Sequence, residues 1–71
     1  MRNNLTERQK EILRLACFTN REIAKRLFLA ITTVATHFND MRGILGATSK
    51  SSLLIEGIRK GEININEVET E

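Results

Sequence analysis

The sequence predicts an all-α fold of four helices, and three observations carry that expectation. Apolar residues recur at helical spacing, as in Val34, Phe38, Met41 and Leu45. Two capping boxes, Thr6 with Gln9 and Thr19 with Glu22, mark helix starts. Gly46 and Gly61 follow periodic runs as helix stops, Gly46 as a left-handed C-cap. Strand signals are nearly absent, and there is no proline, repeat or low-complexity run to break the pattern.

The first helix opens at "LTERQ", where the Thr6 hydroxyl can accept from the Gln9 N–H while the Gln9 side chain reaches back. It is expected to run to about Cys17, with Ile12, Leu13, Leu15 and Ala16 inward and Arg8, Lys10, Glu11 and Arg14 outward. Cys17 reads as a small core residue. In "FTNREI", the Thr19/Glu22 box is joined by Phe18 and Ile23, spaced for a hydrophobic staple. Ile23, Ala24, Leu27 and Phe28 then form the apolar face of a short second helix ending near Phe28, and Phe28 is expected in the core with Phe38 and Met41. A third helix carries Val34, Phe38, Met41 and Leu45 to Gly46. The fourth starts at Ser49 and continues through Leu53, Leu54, Ile55 and Ile58 to Gly61. The domain is thus residues 1–61. Residues 62–71 form an acidic C-terminal tail, expected to be frayed or disordered, with a docked last turn as the alternative.

A chain of 71 residues holds one small domain. Its apolar runs are too short to span a bilayer, and "MRNNLTERQKEIL" lacks the apolar stretch of a secretory signal, so a cytoplasmic protein is expected. One cysteine and one histidine provide neither an internal disulfide nor a zinc ligand set, so no metal and no cofactor is expected. No nucleophile–base or paired-carboxylate spacing suggests catalysis, so no catalytic residue is assigned. The net charge of +2 is uneven: all 11 Lys and Arg but only five of the nine acids precede residue 62, which leaves +6 on the folded part. A basic domain with an acidic tail suits a polyanionic partner.

The second and third helices, separated by about three residues, have the pattern of a helix-turn-helix: Ala24 is small where the helices cross, and Ile23, Leu27, Leu29 and Val34 supply a shared core. In such a pair the second helix can enter the major groove, which is about 12 Å wide. The segments "LTERQKEIL", "TNREIAKRLFL", "TVATHF" and "LGATSKSS", in this order over residues 5–61, resemble the LuxR-type (GerE-like) DNA-binding domain. The resemblance implies a sequence-specific, double-stranded DNA-binding transcription regulator. Residues 32–45 would be its recognition helix and the fourth helix a homodimer contact, with RNA polymerase or another regulator as further partners.

Carried over residue by residue, the resemblance implies base readout by Thr32, Thr33, Ala35, Thr36, Asn39 and Arg42. It implies phosphate contacts from Asn20, Arg21, Lys25, Thr48, Ser49 and Lys50, with Arg26 as a further candidate, and a dimer face of Leu53, Leu54, Gly57 and Ile58. The chain departs from the family in three places. The loop between the first two helices is about two residues shorter and lacks the family's glycine. Ala30 replaces the usual serine N-cap of the third helix, a loss of about 1 kcal/mol that Thr32 or Thr33 could partly offset. Ala35 and Asn39 stand where members often place groove-facing lysines. A face of Thr36 and Asn39 is expected to favour A·T pairs, through thymine-methyl contact and a bidentate bond to adenine.

The same residues have plainer readings. Arg21, Lys25 and Arg26 could form a solvated helix face. His37 reads as a structural residue, packing at the helix junction or bonding a backbone carbonyl. Gly43 and Gly57 cost up to about 1 kcal/mol each inside helices, and Gly57 suggests a close approach of two fourth helices across a dimer axis. The competing function is an interaction module or anti-activator that has lost DNA affinity and pairs with related proteins through its fourth helix. A sigma-factor-like region fits less well, and an enzyme least.

Overall fold

The computed structural model describes residues 4–70. It contains α1 (Glu7–Arg14), α2 (Asn20–Leu27), α3 (Ile31–Leu45) and α4 (Lys50–Arg59), followed by a short 3-10 turn, Ile65–Glu67. The fold is all-α, as expected.

Both capping boxes form. The Gln9 N–H donates to the Thr6 hydroxyl oxygen at 3.1 Å and the Thr6 N–H to Gln9 Oε1 at 3.0 Å. That return bond satisfies the amide oxygen of Gln9, a polar residue that is buried with the core. At α2 the Glu22 N–H donates to Thr19 Oγ1 at 3.2 Å and the Thr19 N–H to the Glu22 carboxylate at 3.1 Å. Phe18 and Ile23 flank this cap and are both buried. Helix α3 lies at the centre, against α1, α2 and α4. Its positions Val34, Phe38, Met41 and Leu45, spaced 4, 3 and 4 residues apart, are all buried and meet Ile12, Leu13, Ile23 and Leu53 in one core.

Helix α1 is shorter than the sequence suggests. It ends at Arg14, and tight turns follow, with the N–H groups of Leu15, Ala16 and Phe18 donating three residues back. These turns aim Leu15, Ala16 and Phe18 inward and leave Cys17 exposed, contrary to its expected place in the core. Phe28 is a second correction. It takes the left-handed conformation (φ 57°, ψ 45°) after α2, while the Leu29 N–H closes the helix on the Ala24 carbonyl at 2.8 Å. That backbone turns the ring outward, 94% exposed. Leu29 takes the inward place, half-buried against the core.

Helix α3 starts at Ala30 without a side-chain cap, so neither Thr32 nor Thr33 substitutes for the missing serine. It ends at Gly46 in the left-handed conformation (φ 68°), as expected. Ser49 caps α4 by accepting from the Ser52 N–H at 3.1 Å. Gly61 (φ 78°) closes α4 with two bonds, Gly61 N–H to the Ile58 carbonyl and Glu62 N–H to the Gly57 carbonyl. Just beyond α4, Lys60 Nζ donates to the Leu45 carbonyl at 3.2 Å, tying the ends of α3 and α4 together.

The tail is docked rather than frayed. Ile63 is 3% exposed and Val68 packs against the core. The Glu69 N–H donates to the Arg14 carbonyl at 2.9 Å, and Arg14 Nε lies 3.5 Å from the Glu67 carboxylate. Glu62 accepts from the Leu5 N–H at 3.2 Å, so its carboxylate ties the start of the tail to the segment before α1. The alternation of Ile63 and Ile65 has a physical meaning here, since Ile63 fills a gap beside α4 while Ile65 remains exposed.

Candidate nucleic-acid interface

With Val34, Phe38, Met41 and Leu45 turned into the core, the opposite side of α3 is fixed by the helical period. Thr32, Thr36, Asn39, Asp40 and Gly43 lie on that exposed arc, and Ala35, Arg42 and Thr33 flank it half-buried. Six of these are the residues for which the sequence resemblance implies base readout. Asp40 was not, although its four-residue spacing from Thr36 places both on one side of the helix. It brings a carboxylate onto the arc and pairs with no cation among the described residues.

Two hydrogen bonds order this face. The Thr36 hydroxyl donates to the Thr32 carbonyl at 2.9 Å, which spends its proton and leaves an acceptor oxygen and a methyl outward. Arg42 Nη1 donates to Asn39 Oδ1. Arg42 Nε is buried without a partner among the described residues, so the arm of this side chain lies against the protein while its end reaches Asn39. His37 is half-buried and its Nδ1 has no partner among the described residues, so that nitrogen bonds no backbone carbonyl.

The residues named for phosphate contact divide by exposure. Arg21 and Lys25 project freely from α2, and Thr48 and Ser49 are exposed before α4. Asn20, the first residue of α2, is half-buried, and its Oδ1 has no partner among the described residues. Lys50 is engaged inside the protein: its ammonium donates to the Phe18 carbonyl at 3.0 Å and lies 5.0 Å from the centre of the Phe38 ring. Burial and then the nearby Arg42 charge lower its pKa from the usual lysine range. Lys50 therefore ties the start of α4 to the α1–α2 turn with at least one of its three N–H groups. Arg26 stacks over the Phe18 ring at 4.1 Å from its centre.

On α4, Leu53 is 0% exposed and Gly57 is buried, both within the chain's own core. A Cβ at Gly57 would come within 2.6 Å of Leu13 Cδ2, so the close approach that this glycine serves is that of α4 to α1 within one chain. Leu54 and Ile58 are half-buried, and Ile55, which the sequence reading left out of the dimer set, is 62% exposed.

The family description "Bacterial regulatory proteins, luxR family" matches residues 3–56. The chain belongs to this family. Over 63 residues it is 33% identical to the spore germination protein GerE of Bacillus subtilis, which covers 86% of this chain and 85% of that protein. Over 60 residues it is 37% identical to proteins named as HTH-type transcriptional regulators of Mycobacterium bovis and Mycobacterium tuberculosis. The match covers 82% of this chain but only 7% of the length of those mycobacterial relatives. No solved structure matches the sequence. Members of the luxR family are DNA-binding helix-turn-helix regulators rather than enzymes, and the α2–turn–α3 pair is that motif in this chain. Among the described residues no helix is long and apolar enough to cross a membrane.

Proposed function

We propose that this domain binds double-stranded DNA sequence-specifically as a homodimer, laying α3 in the major groove to regulate transcription. The observation that carries this reading is the polar arc of Thr32, Thr36 and Asn39, exposed along a helix whose other side is fully committed to the core. Arg21 and Lys25 hold the phosphates from α2, assisted by backbone N–H groups at the start of that helix. Lys50 supports this surface chiefly by bracing α4, and its remaining N–H groups are its contribution to DNA. The dimer contact lies along Leu54, Ile55 and Ile58, the apolar residues of α4 that the protomer leaves accessible, with the two recognition helices about 10 base pairs apart on a palindrome.

The Asp40 carboxylate favours a second reading, a partner-binding domain that pairs through α4 and has lost DNA affinity. Selection of bound sequences from a random duplex pool separates the two. A DNA reader enriches a palindrome, loses affinity on all sequences when Arg21 becomes Ala, and changes base preference when Asn39 becomes Ala. Absence of any enriched sequence, with normal self-association, would leave only the second reading.

A further inference from the structure

We propose that Arg42 is a positioning residue that sets the base preference of Asn39 by holding its carboxamide in one orientation. This rests on the reading of α3 as the groove helix. An asparagine side chain turns easily about its last torsion, and its two ends are of opposite character, one accepting and one donating. A guanidinium carries donors only, so the end of Asn39 that faces Arg42 Nη1 is the oxygen, and the amine is directed away. The amide oxygen retains a second lone pair. Asn39 thus offers an acceptor and a donor in a fixed order along the helix, the complement of the adenine edge with its N6 donor and N7 acceptor. The positive charge of Arg42 also strengthens this bond over one between neutral groups.

The placement of Arg42 suits this role. The residue forms no ion pair among the described residues, so no carboxylate competes with Asn39 for its Nη1. Its arm lies against the protein with Nε buried, which restricts where its end can go. One turn earlier, Thr36 is locked in a similar way, since its hydroxyl proton is spent on the Thr32 carbonyl. The face thus presents an acceptor with a methyl at Thr36 and an ordered acceptor–donor pair at Asn39.

The test compares the wild type with N39A, R42A, R42K and the N39A/R42A double variant. Each is titrated by fluorescence anisotropy against the selected duplex and its single base-pair substitutions, with circular dichroism confirming that each is folded. The expected result is that N39A and R42A flatten discrimination at the same base pair, about tenfold in the wild type, and that the double variant flattens it no further. R42K, which keeps the charge but offers a single rotatable donor, is expected to keep the overall affinity while recovering only part of the preference. The proposal is overturned if R42A weakens every duplex equally, lowers the salt slope by about one and leaves the base preference intact, for Arg42 would then be a phosphate contact. A wild type that binds no duplex overturns the groove reading itself, and that is seen before any variant is compared.

Discussion

Phe28 holds φ 57° and ψ 45° with nearly its whole surface in solvent. A left-handed residue with a Cβ costs roughly 1–2 kcal/mol, and this exposed ring gains no burial to offset it. Phe28→Gly is therefore expected to raise stability by about 1 kcal/mol, read as a higher urea midpoint with an unchanged denaturant slope. A lower midpoint would mean that the ring makes contacts the exposed geometry does not show. The apolar period of α2 made Phe28 look like core because periodicity assigns faces only while the helix continues, and here the chain turns one residue earlier. The identities of Thr36 and Asn39 as surface polar residues were legible for the converse reason, since the buried Val34, Phe38 and Met41 fix the opposite side. The Asn39–Arg42 clamp was not, because a spacing of three permits such a bond without specifying the rotamers that make it.

The starts of α1 and α2 are better marked in the sequence than the end of α1. Thr6 and Thr19 announce α1 and α2 through side chains that bond the local backbone, so the signal is contained within four residues. The end of α1 depends on Leu15, Ala16 and Phe18 each finding the core, which no local pattern encodes. The four acidic residues of the tail favour a solvated, frayed segment on sequence alone, whereas Ile63 and the bonds to Arg14 anchor it in the docked alternative. Glu67 gives this docking a pH dependence. Its carboxylate accepts from the Asn64 N–H at 3.1 Å, and that bond first, then the Arg14 charge, lowers its pKa below the usual carboxylate range. Because the folded pKa is depressed, the stabilisation is present above about pH 4.5 and is lost as pH falls through the lowered value. The wild type should melt above Glu67→Gln at pH 7, with the gap closing as the pH falls through the lowered Glu67 pKa. Glu56, held low by its hydrogen bond to Arg59, titrates in both proteins and cancels from the comparison. A gap that persists in acid would show that the carboxylate charge is not what holds the turn.

The whole molecule combines a basic body with an acidic tail folded back on it, and the tail neutralises charge on α1. Lys10 meets Glu62 at 4.0 Å and Arg14 meets Glu67, whereas Arg21 and Lys25 on α2 have no acidic partner within the described residues. The +6 of residues 1–61 is thus partly spent at one end of the molecule and left free at the helix-turn-helix end. Charge counting from sequence located the excess, but only the folded tail reveals which cations remain available. The chain's central property on this account is electrostatic capture of duplex DNA by that end. The most direct measurement is the affinity for a nonspecific duplex over a range of salt concentrations. The logarithm of affinity is expected to fall linearly with the logarithm of salt, with a slope that reports several released counterions and shrinks by about one in Arg21→Ala. Weak, salt-independent binding that is unchanged by Arg21→Ala would contradict it.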